Sequence, residues 1–298
     1  MERHTADNKG FIGGRIAFGC MSLDPAAGDH TALIGQAIDG GITLFDTADL
    51  YNRGENETML GKALGSRRQE ILIATKVGNQ LNPDGESWTW NPRRDYILRA
   101  ADESLRRLGT DYIDLYQLHG GTINDPIEEV IDAFDTLQQQ GKIRYYGISS
   151  IRPNVIRRFA ALSAISTVMM QYSLLDSRPE EDCFHLLSAK NIGVLARGTV
   201  AGGLLAGKTP RPYLCHSTDT VATAAAAISD LALAIQTSPA SIAIAFALAN
   251  KAVSTAVVGI RHEQQLKDAL CAADILLTPQ DCAKIEKGIS RCAYAEHR

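Results

Sequence analysis

Asp46, Tyr51, Lys76 and His119 are the side chains of this 298-residue sequence whose types and spacing can move a proton. Asp46, Lys76 and His119 stand at the ends of the second, third and fourth short β-rich runs, and Tyr51 follows Asp46 by five residues. An oxygen that gains negative charge during a reaction needs a proton or a donor at that moment. A phenol with an ordinary pKa near ~10 is a poor acid at neutral pH, and a buried cation beside it lowers that value. Lys76 supplies such a cation, Asp46 can keep it charged and oriented, and His119 can donate from the other side of the oxygen. Taken singly, each residue has a structural alternative: a helix cap, a half-buried rim aromatic, a surface lysine, a satisfied loop histidine. Four of them at or just after three successive strand ends are harder to assign to structure alone.

The elements that must position them recur at regular intervals. Apolar, β-rich runs lie at 15–18, 43–45, 71–75, 112–117, 143–147, 167–170, 193–196 and 255–258, with helical periodicity between them. Over 93–108 the residues Ile97, Ala100, Ala101, Ser104, Leu105 and Leu108 share one face; Asn91 can cap this helix and Gly109 can end it. Asp125-Pro126-Ile127-Glu128 reads as an N-cap with a capping-box glutamate, and Gly141 closes the helix that follows. Alternation of this kind implies a parallel sheet, and eight strands are the number that closes one. The expected fold is α/β, a (β/α)8 TIM barrel in a single domain over 1–298, with 1–10 flexible. A doubly wound open sheet is the runner-up, but no G-x-G-x-x-G follows any strand. Residues 209–220 read as a long loop. Active sites of such barrels lie at the C-terminal ends of the strands, where the four residues would converge.

Composition is that of an ordinary globular chain: 45% hydrophobic, 21% charged, net charge −4. There is no basic excess for nucleic acid, and the longest apolar stretch, 242–249, is too short to span a bilayer. No signal peptide is visible in 1–10. Six cysteines, at 20, 183, 215, 271, 282 and 292, form no C-x-x-C pair and no Cys/His grouping with zinc spacing. Reduced thiols in a cytoplasmic protein without a metal site are expected. Asn56-Glu57-Thr58 matches a glycosylation sequon by chance.

The sequence resembles the aldo-keto reductases over nearly its whole length. The likeness is carried by 44–51 (LFDTADLY), Thr75-Lys76, Leu118-His119, 141–144 (GKIR) and 203–208 (GLLAGK). The resemblance implies a (β/α)8 barrel that binds NADP(H), with NAD(H) as the alternative, and transfers hydride to an aldehyde or ketone, with Asp46, Tyr51, Lys76 and His119 as catalytic residues and Tyr51 as the acid. It also implies cofactor positions at Gly19, Cys20 and Met21. Ser149 and Ser150 stand where the family often has Ser-Asn. Met169 occupies the place of a family glutamine, with Gln171 two residues on and facing the same way. Arg197 replaces an aromatic that stacks on the nicotinamide, a role a planar guanidinium can also take. Gly198, Thr199, Val200, Gly203 and Lys208 match the pyrophosphate loop. Gly259, Ile260 and Arg261 match the 2′-phosphate region, with Gln265 and Asp268 nearby and Ala269 where an adenine contact is usual. Met21, Trp88, Trp90 and the tail after Ser290 are candidates to shape the substrate pocket, with Gly120-Gly121 leaving open space beside His119. Oligomeric state is not readable. Two rivals come from other classes. Gly202 to Thr209 fits the P-loop pattern, but no strand immediately precedes it and Pro210 and Pro212 follow. A regulatory cofactor-binding subunit with little turnover could share the fold, since fold does not fix function.

Overall fold

Strand and helix alternate around a closed sheet. In the computed structural model, which describes residues 4–5 and 11–298, the barrel strands are β1 (Ile16–Gly19), β2 (Leu44–Asp46), β3 (Leu72–Val77), β4 (Ile113–Leu118), β5 (Ile143–Ser149), β6 (Thr167–Gln171), β7 (Gly193–Arg197) and β8 (Val253–Gly259). All eight pair in parallel, and β8 closes on β1. The helices packed outside are α1 (Thr31–Asp39), α2 (Glu55–Leu64), α3 (Arg94–Leu108), α4 (Ile127–Gln139), α5 (Pro153–Leu162), α6 (Cys183–Ala189), α7 (Thr218–Ala234), α8 (Pro239–Ala249), α9 (Glu263–Asp274) and α10 (Pro279–Glu286). Each predicted run falls within two residues of a barrel strand. The expected flexibility of 1–10 lies outside the described residues except for the short strand His4–Thr5, which pairs with Ile12–Gly13.

Successive strand residues face opposite sides, and this period of two divides the core. Ala17, Leu44, Ala74, Leu115, Met169, Leu195 and Val257 fill the barrel interior, with Phe11 against Tyr145 at its base. Residues of the other parity, such as Phe18, Phe45, Ile73, Tyr116, Ile148 and Val168, pack outward on the helices. The inward parity continues to the C-terminal rim, through Gly19, Asp46, Lys76, His119, Ser149, Gln171, Arg197 and Gly259. At the opposite end, buried Asp114 accepts from Arg68 Nη2 (2.8 Å), Arg144 Nη1 (3.0 Å) and the Ile73 amide (2.9 Å). The two guanidinium groups lie over the Tyr112 ring, 4.2 and 3.9 Å from its centre.

Two local expectations are corrected. Asp125 does not cap α4, whose N-cap is Pro126. Its carboxylate accepts instead from Trp90 Nε1 (3.0 Å) and from the Thr122 amide and hydroxyl (both 2.6 Å), which turns it toward the hairpin and the preceding loop. The predicted loop is shorter than 209–220, because Ser217 accepts from the Thr220 amide and starts α7 at Thr218.

The expectation of six reduced thiols is also overturned. Cys215 and Cys292 form a disulfide across 77 residues of sequence, while Cys20, Cys183, Cys271 and Cys282 are free. The fold lays the segment after α10 against the loop before α7, a proximity that sequence spacing does not encode. His216 lies beside both sulfurs, so these three residues form a Cys/His grouping in space that has no metal spacing in the sequence. Among the described residues, no single helix is long and apolar enough to cross a membrane.

Candidate active site

Asp46 ends β2 and Lys76 stands next to last in β3; both are buried, and both carry inward parity. Lys76 Nζ donates to Asp46 Oδ2 (2.8 Å), to the Thr47 carbonyl (2.7 Å) and to the Tyr51 hydroxyl (3.3 Å). His119 follows β4, and its amide donates to the Val77 carbonyl at 2.7 Å. Its ring meets that of Tyr51 edge-on, with 6.0 Å between centres. The four residues singled out from the sequence therefore form one connected group on the rim.

Electrostatics refine one expectation. Burial pushes the Tyr51 phenol above its ordinary value, and Lys76 opposes that shift without cancelling it. The lysine thus limits the rise and does not produce a net fall as expected: desolvation wins. Burial alone would lower Lys76, but Asp46 and Tyr51 carry it upward, so it stays an ammonium. His119 is driven down to about 3 by burial, then by Lys76 and Arg197, which leaves a neutral imidazole. Its Nδ1 is buried with no hydrogen-bond partner among the described residues.

The loop carrying Tyr51 is held from beneath by residues the sequence reading did not single out. Tyr51 opens the tight turn Tyr51–Gly54, in which Asn52 and Arg53 have φ of 48° and 57°. Non-glycine residues with such φ are uncommon and cost energy unless their surroundings enforce them. The enforcement is visible. Arg107 of α3 lies under Gly54, where a Cβ would come within 2.7 Å of its Cδ. Arg107 Nε donates to buried Glu57 (2.6 Å), which also accepts from Thr75 of β3 (2.5 Å). Buried Asn56 accepts from Thr47 Oγ1 and donates to the carbonyls of Cys20 and Leu23, tying the end of β2 to the loop after β1. The sequon at Asn56 is accordingly inside the protein. The signal available in the sequence was a polar Asn-Glu pair in the first turn of an otherwise amphipathic helix.

The remaining site candidates spread around the rim. Gly19 pairs with Asp46 on one side and Gly259 on the other. Cys20 is buried and Met21 exposed. Ser149 and Ser150 are buried at the end of β5, beside Met169. Met169 belongs to the barrel interior, whereas Gln171 reaches the rim. Gln171 Nε2 donates to Asp176 (2.9 Å) and to the Tyr213 hydroxyl (3.0 Å), and its Oε1 accepts from Arg197 (3.2 Å). Gly198, Thr199, Val200 and Gly203 lie in and before the irregular turn Ala201–Ala206, with Gly198 and Gly203 at positive φ. Lys208 folds back to donate to the Gly202 carbonyl (2.9 Å). The P-loop reading fails on geometry, since Leu204 and Leu205 are buried and no helix starts at Lys208. Beyond Gly259, Ile260 is buried and the Arg261 amide donates to Gln265 (2.8 Å). The exposed Arg261 guanidinium has no hydrogen-bond or ion-pair partner among the described residues. Asp268 accepts from Gln264, and Ala269 is buried in α9.

Trp88 and Trp90 stand on a hairpin, Asn79–Leu81 paired with Trp88–Trp90. Trp88 is mostly exposed. Trp90 lies over Gly78 and Gly120, where added Cβ atoms would come within 2.5 and 3.4 Å of its ring. The space beside His119 is thus taken up by Trp90 and, at Gly121, by Val155 rather than left open.

A closed eight-stranded parallel barrel with this rim defines a class, and the comparisons with known proteins agree. The model of the aldo/keto reductase family matches residues 15–289, and the chain belongs to that family of oxidoreductases. It is 42% identical over 293 residues to the uncharacterized oxidoreductase YqkF of Bacillus subtilis, covering 95% of each chain. It is 37% identical over 207 residues to aldo-keto reductase yakc (NADP(+)) of Schizosaccharomyces pombe, covering 66% of this chain and 61% of that one. Among solved structures it is similar to the holo form of aldo-keto reductase AKR11C1 from Bacillus halodurans, with TM-score 0.92, 42% identity and coverage of 100% and 99%.

Proposed function

We propose that this oxidoreductase is a cytoplasmic, NADPH-dependent carbonyl reductase that converts small aldehydes or ketones to alcohols, with Tyr51 as general acid. The observation that carries the reading is the buried Lys76 ammonium, hydrogen-bonded at once to Asp46 and to the Tyr51 hydroxyl. The printed names of the yeast relative, with NADP(+), and of the holo-form neighbour support the choice of cofactor.

The residues present fit such a cofactor. Arg261 has a free guanidinium beside the start of α9, suited to a phosphate through paired, charge-assisted hydrogen bonds. Gly198 and Gly203 hold backbone conformations that side chains disfavour, so the chain after β7 carries no side chain at these two turns. Gly19, Ser149, Gln171 and Arg197 carry the same inward parity at the rim as Asp46, Lys76 and His119, which with Tyr51 make up a tetrad, and Ser150 follows Ser149. When bound, the cofactor supplies the hydride.

The chain supplies the rest. The substrate oxygen sits between the Tyr51 hydroxyl and His119, whose neutral imidazole donates a hydrogen bond as charge develops. Tyr51 then gives up its proton, and the resulting phenolate is met by the Lys76 ammonium. Asp46 holds that ammonium in place and balances its charge where both side chains are buried. A panel of aldehydes, ketones, quinones and sugars with NADPH and NADH tests the reading. Tyr51→Phe is expected to lower kcat by about 10²–10⁴-fold with cofactor affinity nearly unchanged. No turnover by the wild type with any carbonyl would return the regulatory-subunit reading, and a Phe variant that keeps most of its kcat would remove Tyr51 as the acid.

A further inference from the structure

The Cys215–Cys292 disulfide closes a ring of interactions around the rim. Cys215 belongs to the turn 213–216, pinned by reciprocal hydrogen bonds between the Tyr213 and His216 backbones (3.1 and 2.9 Å). At the other end of this turn the Tyr213 hydroxyl accepts from Gln171, a rim residue. Gln171 also donates to Asp176, and Asp176 binds Arg178 through two hydrogen bonds of 2.7 and 2.8 Å. Arg178 lies over the ring of Tyr294, 5.4 Å from its centre. Tyr294 stands two residues from Cys292, and its amide donates to Glu181 (3.0 Å), while the His297 carbonyl accepts from the Asn154 amide (2.9 Å). One covalent bond therefore joins the C-terminal segment to the strap that bears on the rim.

The bond is set up for exchange. Cys215 is exposed and Cys292 buried. Buried His216 directs Nε2 at both sulfurs, 3.3 Å from Cys292 Sγ and 3.7 Å from Cys215 Sγ. Its Nδ1 is buried without a partner. An unpaired acceptor is more easily tolerated there than an unpaired N–H, so the ring proton belongs on Nε2, facing sulfur. An attacking thiolate reaches the accessible sulfur, and a leaving thiolate that receives a hydrogen bond departs more readily.

We propose that Cys215, Cys292 and His216 form a thiol–disulfide exchange site, reduced by dithiols, whose state fixes or frees the strap over the rim. A dithiol's thiolate attacks Cys215 Sγ, the Cys215–Cys292 bond breaks, and Cys292 leaves as a thiolate stabilised by the His216 Nε2 proton. The dithiol's second sulfur then displaces Cys215. Two electrons and two protons pass to the cystine, and the dithiol becomes a disulfide; a disulfide oxidant reverses the exchange. The cytoplasmic location proposed above sharpens the inference, because disulfides there are usually transient and redox-sensing.

Denaturation in alkylating agent, after oxidation with glutathione disulfide, is expected to label four cysteines, and six after native reduction with dithiothreitol. Hydrogen exchange without cofactor is expected to accelerate at 208–217 and 291–298 on reduction, and nowhere in the barrel strands. His216→Ala should slow native reduction. Cys215→Ser, at an exposed position, should show the fast-exchanging strap with or without dithiothreitol. NADPH release, followed by nicotinamide fluorescence, should quicken by about fivefold or more on reduction. Six labels after oxidation, exchange at the strap indifferent to reduction, or a reduction rate unchanged in His216→Ala would each overturn the proposal. Only the NADPH readout rests on the carbonyl-reductase reading: a chain that bound no NADPH would lose that reading, while the labelling and exchange results would still decide this one.

Discussion

His119 is the residue whose charge state has the sharpest consequence. Held down to about 3 by burial and by the cations Lys76 and Arg197, it is neutral throughout the neutral range. The profile of kcat/KM against pH should therefore show no step near ~6.5, where an ordinary imidazole titrates. His119→Ala should lower the profile by about 10²–10³-fold without changing its shape between about pH 5 and 8. A step that disappears in the variant would show a protonated His119 at work. Lys76 acts on Tyr51 in the opposite sense to burial, so Lys76→Met should move the basic limb of the residual profile upward. Arg261 belongs at this scale too. The ratio of NADPH to NADH dissociation constants should rise about tenfold in Arg261→Ala, the scale of one charged hydrogen bond; an unchanged ratio would show that another group reads the phosphate.

At the scale of elements, the Tyr51 loop depends on what lies beneath it. Asp49, two residues before Tyr51, is raised to about 8 by burial and then by Glu57, against the pull of Arg107. A carboxyl with a raised folded value stabilises fully below its unfolded value of 3.8, and that contribution is lost as pH rises through about 8. Asp49→Asn removes the dependence. Its melting temperature relative to wild type should climb from about pH 5 to 9, and a constant difference would count against a buried, protonated Asp49. The sequence made the strands legible as β-rich runs recurring between helical stretches, and with them the rim positions Asp46, Lys76 and His119 at the ends of three successive runs. It made α3 legible through its apolar stripe and the left-handed Gly109 that ends it. Glu57, Arg107 and Asn56 were not legible as a scaffold, because their partners lie on other elements at no regular spacing. Asp125 was misread for a related reason: a cap motif says nothing about an indole arriving from a hairpin.

The whole molecule separates its two faces. The tetrad, Arg197 and Arg261 occupy the C-terminal rim, while Asp114, Arg68 and Arg144 close the N-terminal end. Asp114→Ala leaves the buried Ile73 amide without its acceptor and should cost about 1–3 kcal/mol in urea unfolding. The folded fraction should keep its kcat and KM, since barrel chemistry lies at the other face. A large fall in kcat at full folding would show the two faces to be coupled. The same separation explains why the disulfide could not be read from the sequence: it belongs to neither the strand repeat nor the helices, but to two segments that meet over the rim.

Both tryptophans of the chain, Trp88 and Trp90, stand on the one hairpin beside His119. All indole emission of the protein therefore originates at the edge of the site, from one ring in water and one clamped between glycines and Asp125. A reduced nicotinamide absorbs where indoles emit, so the polypeptide carries its own donor for energy transfer to a molecule bound on the rim. Replacing Trp88 with Phe would leave a single emitter at a fixed position, and occupancy of the site could then be followed without a label or a turning-over substrate.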